Sequence, residues 1–262
     1  MIFECFSLGG FRRVADGAVM SWECLKDPTK GHALTVARAM VMFIEADIVR
    51  VLSRTQIENM SIHYLVVLMP LVVLEGIDKS GKKTQTQLLA RRLADSGLGV
   101  ELVAFPDYGT PLGREIKRFL DGSVMFRPEV RQLLFTANRW ERESDISGWL
   151  RKQRFVVADR YIPAGLVYGL AHGLDLDWMI RLEEGLPRPS MVVVFDVSPE
   201  VTSARSRAKD IYERDLEFQR RVRELYLKLG RLFGWEVVDG EQPIPDVAEE
   251  VWRRVSRALK II

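Results

Sequence analysis

The sequence predicts an α/β protein: a five-stranded parallel sheet flanked by helices, carrying a phosphate-binding glycine turn. Three observations predict it. Short apolar runs recur at 71–75, 100–105, 154–159, 191–197 and 235–238, as in strands of a sheet covered on both faces. Amphipathic stretches of helical period separate them. The first run leads directly into Gly76-Ile77-Asp78-Lys79-Ser80-Gly81-Lys82, where Gly76 and Gly81 have the GxxxxGK spacing of a P-loop.

Residues 1–68 stand apart. Gly9-Gly10, Asp16-Gly17 and Asp27-Pro28 punctuate a stretch without sustained period. The segment 36–52 could form one helix, although its apolar positions cover much of the circumference. The run 62–68 reads as an extra strand or the end of a linker. Met69 precedes the first convincing strand and is the expected true start. The expected division is therefore an extension, 1–68, and a domain, 69–262. The alternative is a real extension, packed on the core or held in a dimer.

After strand 71–75 a helix is expected over 82–95. Strand, glycine turn and helix N-terminus aim backbone N–H groups at one point, which suits a phosphate. Glycine lets the backbone approach closely, and Lys82 adds a mobile positive charge. A nucleoside triphosphate is the expected ligand, held by Gly76, Lys79, Ser80, Gly81, Lys82, Lys83 and Thr84. One position departs from the motif. The residue after Gly-Lys is normally Ser or Thr, whose hydroxyl ligates Mg²⁺. Here it is Lys83, which has no acceptor to offer while protonated. Water and other groups could hold the ion, Thr84 could help, or Lys83 could partly replace its charge. Lost catalysis is the fourth possibility.

Further helices are expected over 111–121, 128–151, 163–171, 199–207, 212–233 and 245–259. In 128–151, Val130, Leu133, Leu134, Ala137, Trp140 and Trp149 recur at helical spacing; in 212–233, Phe218, Val222, Leu225, Leu229 and Phe233 do. Ligands of such folds bind beyond the carboxyl ends of the strands. Gly76, Phe105-Pro106 and Asp159-Arg160 end three different strands, so three elements deliver polar groups to one edge.

Asp78 faces the same space as Lys82. Its carboxylate could accept from a sugar hydroxyl of an acceptor substrate, or satisfy a local Asx-turn. Asp159 could bind a water on Mg²⁺ or hold the P-loop lysine, and Arg160 could clamp a phosphate bidentately. A structural ion pair at a strand end is the simpler alternative. Phe135 and Arg139, four apart on one helix face, could stack a base and read its edge. They could also be a core Phe beside a surface Arg. Ser203–Asp215 is charged, and Arg205, Arg207, Lys209 and Arg214 could fold over the transferring phosphoryl group as a lid. A solvated charge run is the plainer reading.

Lys and Arg number 38 and Asp and Glu 36, a net charge of +2 that gives no bulk case for nucleic-acid binding. The longest nearly apolar run, 62–74, is interrupted and too short to span a bilayer. The N-terminus lacks signal-peptide order, so no membrane association and a cytoplasmic location are expected. Cys5 and Cys24 have no metal-ligand spacing and read as free thiols. His32, His63 and His172 read as incidental.

Taken together, EGIDKSGKKTQ (75–85), FPDYGTPLG (105–113), LLFTANRWE (133–141), VVADRY (156–161), GLPRPSMVVVFDV (185–197) and IYERDLEFQRRVRELY (211–226) resemble the thymidylate kinase family. The resemblance covers about 69–262. It implies a P-loop nucleoside monophosphate kinase-like fold, a homodimer, and transfer of the γ-phosphoryl of ATP to dTMP with Mg²⁺. Carried over, it implies that Asp78 contacts the 3′-hydroxyl of dTMP and that Phe135 stacks on thymine. Arg139 would bond the base edge, Arg160 would hold the dTMP phosphate, and Tyr168 would pack near the sugar, with Phe105 beside the substrate. Lys82 would bind ATP, and Arg205 and Arg207 would assist the transferring group, with Asp159 near the metal. The alternatives are a kinase of another nucleoside or nucleotide, or a catalytically silent nucleotide-binding protein. Three positions depart from the family pattern. Lys83 replaces Ser or Thr, Tyr108 stands where an arginine is frequent, and Ala164 replaces a common serine. The second is expected to shift phosphate contacts onto Arg160 and Lys79.

Overall fold

The computed structural model describes residues 11–13, 19–21, 70–205 and 210–261. The chain divides into two units, Met1–Val67 and Leu68–Ile262. In the first, β1 (Phe11–Arg13) pairs antiparallel with β2 (Val19–Ser21), Phe11 opposite Ser21. The helix expected over 36–52, the run 62–68, both cysteines, His32 and His63 lie outside the described residues.

The second unit is built on β3 (Leu71–Gly76), β4 (Val100–Ala104), β5 (Phe155–Asp159), β6 (Met191–Asp196) and β7 (Glu236–Asp239). They form one parallel sheet in the order β4-β5-β3-β6-β7. All five expected strands are present, with ends shifted by a residue or so. The unbroken apolar runs of the three central strands, β5, β3 and β6, have a simple cause. Along β3, Leu71 and Val73 enter one core with Val156, Ala158, Val192 and Val194. Val72 and Leu74 point the other way, into a second core with Val157, Val193 and Phe195. A strand covered on both faces has no solvent side on which to place polar residues.

The second core is closed by α1 (Lys82–Asp95), through Leu89 and Leu93, and by α9 (Ile244–Ala258), through Val247, Val251 and Val255. The first is closed by α2 (Pro111–Leu120), α5 (Ile162–Ala171) and α8 (Leu216–Phe233). No helix among the described residues is long and apolar enough to cross a membrane.

Two expected helices need correction, one helix was not expected, and one expected segment falls partly outside the described residues. The helix expected over 128–151 is two, α3 (Pro128–Trp140) and α4 (Glu143–Arg151). Tertiary ties interrupt it. Glu141 accepts from the Leu112 N–H (3.3 Å) and from Asn138 Nδ2 (3.0 Å), and Arg142 pairs with Asp107 (3.6 Å). The Arg142 N–H bonds back to the Arg139 carbonyl at 3.0 Å, tightening the last turn. The helix expected from 212 begins at Leu216, because Asp215 caps it by accepting from the Phe218 N–H (2.9 Å). A short helix, α6 (Leu176–Leu182), capped by Asp175, was not expected. Finally α7 runs Pro199–Ala204; residues 206–209 of the expected helix and lid, Arg207 and Lys209 included, lie outside the described residues.

Candidate active site

The three strand ends meet at one edge of the sheet. At the end of β3 the chain turns through Gly76, with φ of 141°, and Gly81, with φ of 97°. A Cβ on Gly76 would lie 2.8 Å from both the Phe195 carbonyl and Ser80 Oγ, so only glycine fits. Gly81 precedes α1, whose first N–H groups open toward the turn. The Lys82 ammonium is buried and donates to the Ile77 carbonyl at 2.6 Å and to Ser80 Oγ at 3.4 Å. Burial and the nearby Arg160 charge lower its pKa to about 8, against the opposing pull of Asp78, Asp159 and Glu75. Lys83 and Thr84, next on α1, are exposed.

At the end of β5, Arg160 takes a left-handed backbone with φ of 66° and donates its N–H to the Leu74 carbonyl at 3.0 Å. That turn aims its guanidinium back toward the glycine loop. Arg160 pairs there with Asp78 and donates to the Tyr226 hydroxyl at 3.2 Å. Tyr168 donates to the other Asp78 oxygen at 3.0 Å. Burial alone would raise the Asp78 carboxyl, but Arg160 and Lys82 outweigh it and hold the group below its ordinary value.

Beneath this pair lies Glu75, fully buried at the end of β3. One oxygen accepts from the N–H groups of Tyr161 (2.9 Å) and Ala164 (3.1 Å); the other accepts from the Tyr226 hydroxyl (2.8 Å). A carboxylate here satisfies the first turn of α5 and complements its dipole. Burial raises its pKa, opposed chiefly by Arg160. Glu75 thus fixes the turn that presents Arg160.

Asp78, Phe105, Phe135, Arg139, Arg160 and Tyr168, all six residues expected to touch an acceptor, line a single cavity. Tyr108, Gln132, Arg131, His172, Asp210 and Tyr212 also face it. Tyr212 stacks on Phe218 (5.2 Å between centroids), and His172 stacks on the same ring (4.8 Å). His172 is therefore part of the cavity's aromatic wall; burial and the Arg131 and Arg221 charges lower its pKa to about 4, leaving it neutral.

Arg139 is only 2% exposed. Its Nε donates to Glu183 Oε2 at 2.9 Å and its Nη2 to Glu183 Oε1, which also accepts from Thr136 at 2.7 Å. Nη2 also donates to Thr136 Oγ1 at 3.2 Å, so Nε and Nη2 are committed and Nη1 is the nitrogen left for a ligand in the cavity that Arg139 lines. A Cβ on Gly165 would come within 2.6 Å of Nη2, so α5 must carry glycine here.

The lid region meets the glycine turn. Arg205 donates to the Lys79 carbonyl at 3.0 Å, and Lys79 pairs with Glu213 at 3.1 Å.

Residues 74–251 match the family model described as thymidylate kinase. The chain is 35% identical over 192 residues to a thymidylate kinase of Schizosaccharomyces pombe, covering 71% of this chain and 91% of that one.

The chain belongs to the thymidylate kinase family.

A relative in Thermomicrobium roseum is 36% identical over 201 residues, covering 72% of this chain and 95% of its own. The solved thymidylate kinase of Candida albicans superposes with a TM-score of 0.65 at 28% identity, covering 72% of this chain and 93% of that one. That enzyme is described as having broad substrate specificity and a novel structural element. The fold is thus a P-loop kinase-like one, and membership makes this chain a kinase that transfers a phosphoryl group to a nucleotide.

Sequence reasoning missed Glu75, Glu183 and Tyr226 as members of the site. Glu75 had a signal, a carboxylate ending an otherwise apolar strand. Glu183 had none, since it meets Arg139 from 44 residues away.

Proposed function

We propose that this chain transfers the γ-phosphoryl of ATP to dTMP, giving ADP and dTDP. One observation carries the reading: the six residues expected to touch a deoxynucleotide line one cavity, and that cavity opens on the glycine turn through Asp78 and Arg160. The backbone N–H groups around Gly81 and the Lys82 ammonium hold the triphosphate. Arg160 binds the acceptor's phosphate, and its pairing with Asp78 sets both groups before substrate arrives. Asp78 and Tyr168 meet the sugar, Phe135 stacks on thymine, and Arg139 donates to its edge. The protein's task is then alignment and charge screening, since phosphoryl transfer needs little covalent help. Arg205 and Arg207 approach the transferring group when the lid closes.

Mg²⁺, when bound, screens the charge of the triphosphate. Asp159, half-buried beside Lys82, is a hard oxygen donor that suits it, through water, while exposed Lys83 supplies no ligand. Two copies associate through α3, whose Val130, Leu133 and Trp140 leave an apolar stripe exposed.

Arg160→Ala tests the acceptor assignment. The KM for dTMP should rise at least tenfold with the KM for ATP little changed. An unchanged acceptor KM would instead favour a nucleoside, which has no phosphate for Arg160 to bind.

A further inference from the structure

One polar group facing the cavity has no role in the account so far. Gln132 lies on α3, three residues before Phe135 and seven before Arg139, so the three share one helix face. It is 4% exposed, yet its Nε2 has no hydrogen-bond partner. Buried side-chain amides are paired as a rule, and one left unpaired is costly to keep. Such a group is retained when something else completes it.

The surroundings say what. The carboxamide lies against α5 where Gly165 and Gly169, one turn apart, leave room. A Cβ on Gly165 would sit 3.3 Å from Gln132 Nε2, and one on Gly169 would sit 2.9 Å from Oε1. Ala164, Gly165 and Gly169 offer the amide no polar side chain from α5. The Cβ-sized gap over Gly165 also borders Arg139 Nη2, so amide and guanidinium flank the same small space at the cavity wall.

Their chemistry is complementary. Arg139 is a donor only, and Glu183 fixes it in place. It therefore selects a carbonyl. Gln132 offers one acceptor and one donor side by side, and the two ends of an amide can exchange places without moving the chain. A 4-keto pyrimidine presents the matching edge: a carbonyl, an N–H and a second carbonyl in sequence.

We infer that Gln132 is a specificity-determining residue that pairs with the base of the acceptor. Its oxygen accepts the N3–H and its Nε2 donates to the O2 carbonyl, while Arg139 donates to O4. Cytosine puts an amino donor in place of the carbonyl at position 4, where the donor-only Arg139 cannot adapt. This inference rests on the proposed reading of dTMP as acceptor.

The test is Gln132→Leu, compared with the wild type in steady-state assays with ATP and either dTMP or its N3-methyl analogue. Wild type should use dTMP far better than the methylated nucleotide. In Q132L the kcat/KM for dTMP should fall roughly tenfold, and the preference for dTMP over the N3-methyl analogue should shrink by a similar factor. The free variant should unfold at no lower urea concentration than wild type, because its amide has no partner to lose. A kcat/KM for dTMP within twofold of wild type, or an unaltered preference against N3-methylation, would overturn the inference. A Q132L protein that is destabilised and keeps its base preference would mark the residue as structural, and would also overturn it. If wild type prefers another nucleoside monophosphate, the dTMP reading falls. The Q132L comparison on that nucleotide then decides separately whether Gln132 touches the base, with a loss under twofold deciding against it.

Discussion

Removing the carboxylate of Glu183 should unseat Arg139 and cost much of the domain's stability. The pair is almost dry, with side chains 2% and 4% exposed. In Glu183→Ala the guanidinium stays buried without its counter-ion, which costs about 3–5 kcal/mol. Thr136 loses its acceptor as well, adding about 1 kcal/mol. The total, about 4–6 kcal/mol, is a large share of the roughly 5–15 kcal/mol that holds a typical domain together. Urea unfolding followed by circular dichroism would read it as a fall in the midpoint at constant slope. The double variant Arg139→Met, Glu183→Leu separates stability from function. Replacing both charges with apolar groups of similar bulk should restore most of the loss, yet leave acceptor binding weak because the donor to the base is gone. A Glu183→Ala protein within about 1 kcal/mol of wild type would refute the reasoning, since so small a cost is that of an exposed pair. So would a double variant that binds dTMP normally.

Two further outcomes follow from the glycine turn. Burial lowers the Lys82 pKa from 10.5 to about 8 in the free protein. Between those values the unfolded chain holds a proton that the folded one lacks, so Lys82's contribution to stability rises with pH across that window. A triphosphate restores the charge, so binding of a non-hydrolysable ATP analogue at pH 8.5 should take up protons, and binding at pH 6.5 almost none; calorimetry in buffers of different ionisation heat would detect this, and equal uptake at both values would contradict it. Lys83→Ser returns a hydroxyl to the first turn of α1 and should lower the Mg²⁺ concentration for half-maximal rate, with little change in the KM for dTMP; an unchanged or higher Mg²⁺ requirement would contradict the view that Lys83 compromises metal ligation.

What could be read from the sequence was what local chemistry dictates. β3, β5 and β6 were legible because two-sided burial demands unbroken apolar runs, as the opposite facing of Val72 and Val73 makes plain. The glycine turn was legible because Gly76 has no room for a Cβ. The break at Glu141–Arg142 was not, because its cause is Asp107 and Leu112, some 30 residues away. α6 escaped because it has seven residues and buries only Met179, although Asp175 was a visible cap. Within the site, Phe135, Arg139 and Arg160 stood at readable spacings. Of the carboxylates that hold them, Glu183 behind Arg139 arrives by tertiary folding and leaves no pattern in the neighbouring residues, whereas Glu75 beneath Arg160 shows only as a charge near the end of an apolar strand.

The whole cavity is shaped by the identity of the acceptor. That identity is tested most directly by measuring kcat/KM for the purified full chain with ATP, Mg²⁺ and, in turn, dTMP, dUMP, CMP, AMP, GMP and thymidine. With dTMP as the acceptor, dTMP has the highest value and thymidine is not phosphorylated at a measurable rate. Faster turnover of AMP, or of thymidine itself, than of dTMP would contradict it.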